Sequence, residues 1–280
     1  MKSLDRYHSN RATMSCNGNT TNILLLGLVS AMTSDIRTSQ LDEQEFLTFI
    51  YIFPLIIVVA FGILSNLLSI DTFRQRQIRT TPTGFFLIIY SYCSIFGLFM
   101  LEIRLLRMRN SVSYLISFVL CNIISVLALM FTRICLWMNG FLALQRVIYT
   151  FESNYLVNRF CSHIAVKKQI LFIITLVFLM HIHDILYRVS IPDPLLQGNF
   201  ICQTGYPVNL LILNQIFSLT HLFVPCALNI IANILILASI SRRRANLHQT
   251  TYWTQWRKHF RRHHHLFLAP TLIIVESISF

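Results

Sequence analysis

The sequence predicts an all-α, polytopic membrane helix bundle, and three observations carry that prediction. Apolar runs of roughly 18 or more residues with almost no charge recur along the chain, enough for a helix to cross a hydrocarbon core about 30 Å thick. Hydrophobic residues make up 55% of the 280 and charged ones 12%, against about 25% charged in ordinary soluble domains; mean hydropathy is +0.60. The net charge of +12 is not laid out as a nucleic-acid footprint. Arg and Lys gather in the short segments between apolar runs, as in loops facing the cytoplasm. Membrane lipids are therefore the expected surroundings, and no nucleic-acid partner is expected.

Residues 1–45 read as a polar tail with Asp35, Asp42, Glu43 and Glu45. Asn19-Thr20-Thr21 is a glycosylation sequon, meaningful if this end is extracellular. Residues 23–32 (ILLLGLVSAM) are too few to span. A signal-peptide core is the less favoured reading, because the region before it is long and not clearly basic. The first span covers about 46–72, interrupted by Ser65-Asn66. An amide at that depth is expected to face a neighbouring helix, where its hydrogen bonds contribute about 0.6–2 kcal/mol. Arg74, Arg76 and Arg79 then precede a second span at about 84–103. A loop with Arg104, Arg107 and Arg109 follows, read as solvated in preference to a contact for an anionic ligand or headgroups.

The third span covers about 114–149 and includes CNIISVLALMFTRICLWMNGFLALQRVIY from Cys121 to Tyr149. At about 1.5 Å per residue, Cys121 and Arg146 lie roughly 37 Å apart, at opposite interfaces. A loop with Arg159, Lys167 and Lys168 leads to the fourth span, about 169–188. The turn-rich SIPDPLLQGNFICQTGYP carries Cys202. The fifth span, about 208–240, contains Pro225, which removes a backbone hydrogen bond and is expected to bend the helix. The basic segment 241–265 precedes a sixth span at 264–280, whose apolar part, residues 266–280, rises only about 22 Å.

Charge sets the expected orientation. With the amino terminus outside, the cytoplasmic loops hold thirteen basic residues and the outer loops four (Arg104, Arg107, Arg109, Arg188). That bias places the amino terminus outside, with Cys121 and Cys202 on the same, oxidising side.

Two charges sit inside spans. Arg133 lies roughly 20 Å from the inner end of its helix and Asp184 about 24 Å from Lys168. An isolated charge at that depth costs at least about 2.5–3.5 kcal/mol, so each needs a partner or a watery cavity. An internal Arg133–Asp184 pair is favoured slightly over Arg133 meeting an anionic ligand group. His181-x-His183-Asp184 and His263-His264-His265 are expected at opposite membrane faces and cannot share a metal. Seven cysteines show no CxxC pair, which argues against a zinc or redox site. WTQWRKHFRRHHH interleaves aromatic and basic residues, as membrane-surface and calmodulin-target helices do. No Gly-rich phosphate loop or nucleophile motif occurs, so neither an enzyme nor a cofactor is expected.

Gly62-x-x-x-Asn66, Thr81-Pro82-Thr83 followed by Phe86-Leu87, Cys121, Arg146 closing LQRVIY, Cys202 and FVPCALNIIANILIL around Pro225 together resemble rhodopsin-like G-protein-coupled receptors over about residues 46–280. The chain departs from the family pattern at several positions. Gln145 replaces the acid beside Arg146, and Val147 the aromatic. Ser94 replaces a sodium-binding aspartate, Asn233 a tyrosine, and the fourth span lacks its tryptophan.

The resemblance implies a seven-helix receptor at the plasma membrane, with five full spans and part of a sixth in this chain. Trp-x-Pro and Asn-Pro-x-x-Tyr segments are missing after Leu266, so truncation in the sixth helix is expected. The resemblance further implies a Cys121–Cys202 disulfide and a switch at Arg146, contacting a heterotrimeric G protein. Gln145 cannot form the restraining ion pair, so raised basal activity is expected. Ala128 stands where amine receptors carry an aspartate, which points to a non-amine extracellular ligand such as a peptide. The alternative is a small membrane transporter or channel, against which no internal repeat is found.

Overall fold

The computed structural model describes residues 41–106, 118–151, 154–192, 200–248 and 251–263. Asn19, residues 23–32, Arg107, Arg109 and the sixth span at 264–280 lie outside the described residues.

In chain order the described elements are α1 (Leu41–Arg74), α2 (Arg76–Arg79) and α3 (Pro82–Leu106), then a π-helical turn (Leu120–Ile124) leading directly into α4 (Ser125–Thr150). After these come α5 (Asn154–Phe160), α6 (His163–Tyr187), β1 (Arg188–Pro192), β2 (Phe200–Thr204), α7 (Val208–His248) and α8 (Tyr252–His263). Five of these segments are long and apolar enough to cross a membrane: Phe49–Arg74, Pro82–Ile103, Leu120–Thr150, His163–Tyr187 and Val208–Leu247. The chain is a multi-pass, α-helical membrane protein.

Local chemistry explains where α3 starts. Pro82 opens the helix, where its missing N–H is no loss. Thr81 Oγ1 accepts from Gly84 N at 3.1 Å and donates to the Ile78 carbonyl at 2.6 Å. A Cβ on Gly84 would lie 2.0 Å from that carbonyl oxygen, so only glycine fits there. Ser162 caps α6 in the same way, accepting from Ala165 N at 3.3 Å.

The third span is the hub: 61% of its most apolar window is buried, against 22% for the first and fifth. It packs against α3, α6 and α7. One core joins Phe86, Tyr90 and Cys93 of α3 to Val126, Met130, Ile134, Met138 and Leu142 of α4 and to Val166, Ile170, Ile173 and Val177 of α6. The buried positions of α6 recur at three- and four-residue steps and continue through His181 to Asp184, so one helical stripe carries both core and polar residues. Against α7 the contact is backbone-close. A Cβ on Gly140 would sit 3.3 Å from Pro225 Cα and 3.4 Å from its carbonyl oxygen.

Several expected boundaries move. The 1–45 tail is already helical from Leu41, and the second helix runs from Pro82 to Leu106, taking in Arg104. Residues 114–117 of the third span lie outside the described residues. The fourth helix starts at His163, not 169, because the Ser162 cap precedes two basic residues that a helix tolerates at a headgroup; Lys167 Nζ lies 6.0 Å over the Phe85 ring. Arg188 belongs to β1. The fifth helix continues from 240 to His248 through Arg242, Arg243 and Arg244, all good helix formers. Pro225 lies inside α7, which continues on both sides of it.

The turn-rich segment after α6 forms an antiparallel hairpin in which Ser190 faces Cys202 and Arg188 faces Thr204. Cys202 is disulfide-bonded to Cys121, 81 residues earlier, with Cα atoms 5.4 Å apart. The hairpin is thereby pinned to the end of the central helix.

Candidate functional site

About 18 Å along the helix from Cys121, three helices place polar side chains together. Arg133 comes from α4, His181 and Asp184 from the buried stripe of α6, and Ser218 and His221 from successive inward positions on α7. Arg133 and Asp184, expected as a direct pair, are instead bridged. Arg133 Nη1 lies 2.5 Å from His181 Nε2, and His181 Nδ1 lies 2.8 Å from Asp184 Oδ2. The intervening stripe position explains this: His181 sits one turn before Asp184 on the same face and reaches Arg133 first.

The partners assign the tautomer. A carboxylate accepts, so His181 Nδ1 carries the proton, and its Nε2 lone pair accepts from the guanidinium. Arg133 Nη2 also donates to Ser218 Oγ at 2.7 Å. Tyr206, between β2 and α7, donates its hydroxyl to Asp184 Oδ1, and His183 Nε2 lies 3.7 Å from the same oxygen. Burial, and then the Asp184 hydrogen bond, push the Tyr206 phenol above tyrosine's ordinary range. His181 and Asp184 are 0% and 2% exposed; Arg133 is half-buried.

A second histidine closes the cluster. Trp137 Nε1 donates to His221 Nδ1 at 2.7 Å, so His221 carries its proton on Nε2. The His221 ring stacks on His181, with centroids 5.2 Å apart and planes 22° apart. Its Nε2 is buried without a hydrogen-bond partner.

The chain matches no protein-family model, and no curated protein matches its sequence.

At the opposite end of α4, Gln145 is 2% exposed and donates to Gln169 Oε1 at 2.8 Å, while Gln169 donates to the Phe160 carbonyl at 3.0 Å. Gln145 therefore braces α6 with its neutral amide. Arg146, the neighbouring residue, is half-buried. Arg243 of α7 donates to the Thr150 carbonyl at 2.7 Å, tying α7 to the last turn of α4. In the first two spans, Asn66 Nδ2 donates to Ser94 Oγ at 3.1 Å and to the Gly62 carbonyl at 2.8 Å. The amide links α1 to α3 through Ser94.

Sequence reasoning misses His221, Ser218, Trp137, Tyr206, Gln169 and Gly140, and weighs His181 only as a metal ligand, a role it sets aside. Among the described residues no group of three or more such ligands could hold a metal ion. A usable signal exists. Ser218 and His221 stand three apart in the fifth span, as His181 and Asp184 do in the fourth, which puts each pair on one face.

Proposed function

We propose that the chain is a rhodopsin-like receptor in the plasma membrane, with its amino terminus and hairpin outside. It senses an extracellular non-amine ligand, such as a peptide, and promotes nucleotide exchange on a heterotrimeric G protein. The observation that carries this reading is the disulfide-pinned hairpin at one end of the hub helix. Beneath it lies a buried charged cluster shared by α4, α6 and α7, and Gln145 and Arg146 stand at the helix's other end. A change at the cluster shifts α6 and α7 against α4, and Gln145–Gln169 and Arg243–Thr150 hand that shift to the Arg146 end. Ala128, 1% exposed, offers no carboxylate to an amine.

The test is basal exchange. Membranes containing the full chain and each G-protein class in turn are assayed for uptake of a non-hydrolysable GTP analogue. Uptake above vector membranes, lost in Arg146→Ala at equal surface expression, is the expected result. Uptake no higher than vector membranes for every G-protein class would rule the reading out.

A further inference from the structure

We propose that the corner formed by Arg133, Ser218 and His221 is an anion site, and that it takes a carboxylate group of the ligand or a chloride ion. As a statement about ligand class, the inference rests on the receptor reading; as a statement about binding, it does not.

The acid in the cluster is already engaged. Asp184 gives one oxygen to His181 Nδ1–H and the other to the Tyr206 hydroxyl. The Arg133 guanidinium is met by two neutral acceptors, His181 Nε2 and Ser218 Oγ. Charge is also unbalanced: Arg188 lies close enough for its charge to act on Asp184 and on Arg133, so two cations share one carboxylate. The bridging His181 and the stacked His221 are both neutral tautomers and add no negative charge.

The donors are also left over. His221 is 1% exposed, its Nδ1 is taken by Trp137, and its Nε2–H points into protein with no acceptor. A buried donor without a partner destabilises the fold unless something fills the place. Ser218 accepts from Arg133, so its own hydroxyl hydrogen remains to donate. The stacked His181–His221 rings hold His221 beside the residue that Arg133 contacts. Arg133 of α4 contacts Ser218 of α7, and His221 stands one helical turn on from Ser218, so neighbouring side chains offer a cationic fork, a hydroxyl and an imidazole N–H, a donor set suited to an anion and hostile to a cation. Water alone satisfies the imidazole but leaves the surplus charge uncancelled.

The experiment uses the full chain in nanodiscs, with Trp253→Phe and Trp256→Phe introduced so that Trp137 remains of the three tryptophans. Its indole bonds His221 directly, so its emission reports occupancy. In a chloride-free buffer of constant ionic strength, sodium butyrate, neutral butyramide and sodium chloride are titrated separately. Butyrate or chloride is expected to shift the emission saturably while butyramide does not. Arg133→Gln and His221→Phe are expected to weaken the response about tenfold or more, the scale of losing a hydrogen bond to an ion. A butyrate response that chloride competes away assigns one site to both; a response to chloride alone assigns the inorganic ion.

The proposal is overturned if the folded parent shows no saturable response to either anion, if butyramide matches butyrate, or if both substitutions leave the response unchanged. Should His221→Phe fail to fold, Ser218→Ala replaces it, with severalfold weakening expected and an unchanged response counting against the site. No G protein is present. An anion response beside silent nucleotide exchange leaves this site standing and removes the receptor reading; exchange without an anion response does the reverse.

Discussion

Replacing Asp184 with alanine takes away the carboxylate that receives His181 Nδ1–H and the Tyr206 hydroxyl, and leaves Arg133 with neutral neighbours inside a span. An uncompensated arginine at that depth costs at least about 2.5–3.5 kcal/mol. The orphaned His181 N–H, fully buried, adds about 1–3 kcal/mol before water relaxes it, and the half-buried Tyr206 hydroxyl adds less. A loss of about 3 kcal/mol or more, over a hundredfold in the folded-to-unfolded ratio, is expected. Arg133→Met costs less, because Asp184 keeps both its donors. The double variant is expected to be no worse than Asp184→Ala alone, since its uncompensated cation is gone.

Thermal unfolding followed with a thiol-reactive dye reads all four forms, because Cys93, Cys135, Cys161 and Cys226 are buried thiols outside the disulfide. The informative quantity is the coupling in this double-mutant cycle. Additive effects would refute any coupling between the two charges, bridged or direct, and Arg133→Met as costly as Asp184→Ala would refute the bridged arrangement in favour of the direct pair.

Gln145→Glu is expected to lower basal nucleotide exchange by giving Arg146 an adjacent anion, at some cost in stability through the lost bond to Gln169; unchanged basal exchange at equal expression would remove the switch argument. Gly140→Ala puts a methyl 3.3–3.5 Å from Pro225, and a loss of about 1–3 kcal/mol typical of overpacking should appear in the same dye assay, where a neutral result would mean that α4 and α7 separate freely. Tyr206 keeps its proton above the pH where a free tyrosine ionises, so its contribution is intact below about pH 10 and is lost as pH rises above that. Tyr206→Phe should flatten the alkaline stability slope, and a phenolate absorbance step at the ordinary tyrosine pH in every tyrosine of the parent would contradict the buried bond to Asp184.

The spans are legible in the sequence because each needs only length and apolarity, and the start of α3 because Thr81-Pro82 and Gly84 are a cap written in local chemistry. The hairpin is not, since Pro192, Pro194 and Gly198 read as loop, and its pairing depends on contacts that no short-range pattern states. The extension of α7 through Arg242, Arg243 and Arg244 is hidden because dense charge reads as a loop signal, while helix propensity ignores charge sign. The partners of Arg133 are the largest gap. Rise per residue gives depth in the membrane but no angle around the helix, so it pairs Arg133 with Asp184 at similar depth and is blind to the side chain standing between them. The buried stripe Val166, Ile170, Ile173, Val177, His181, Asp184 holds that angle, and it becomes readable once Ser162 is known to cap α6.

The π-helical turn at Leu120–Ile124 has a consequence for the phase of the hub helix. It accommodates one residue more than an α-turn, so side chains before it are offset by about 100° in azimuth from where the α4 periodicity would carry them. Cys121 sits within that turn and meets the hairpin on a bearing that Arg133 and Trp137 do not dictate. The tether and the cluster are thus indexed separately on one rod. Losing a single residue between Leu120 and Ile124 would leave every side chain of α4 in place yet swing the cysteine about a quarter-turn away from Cys202.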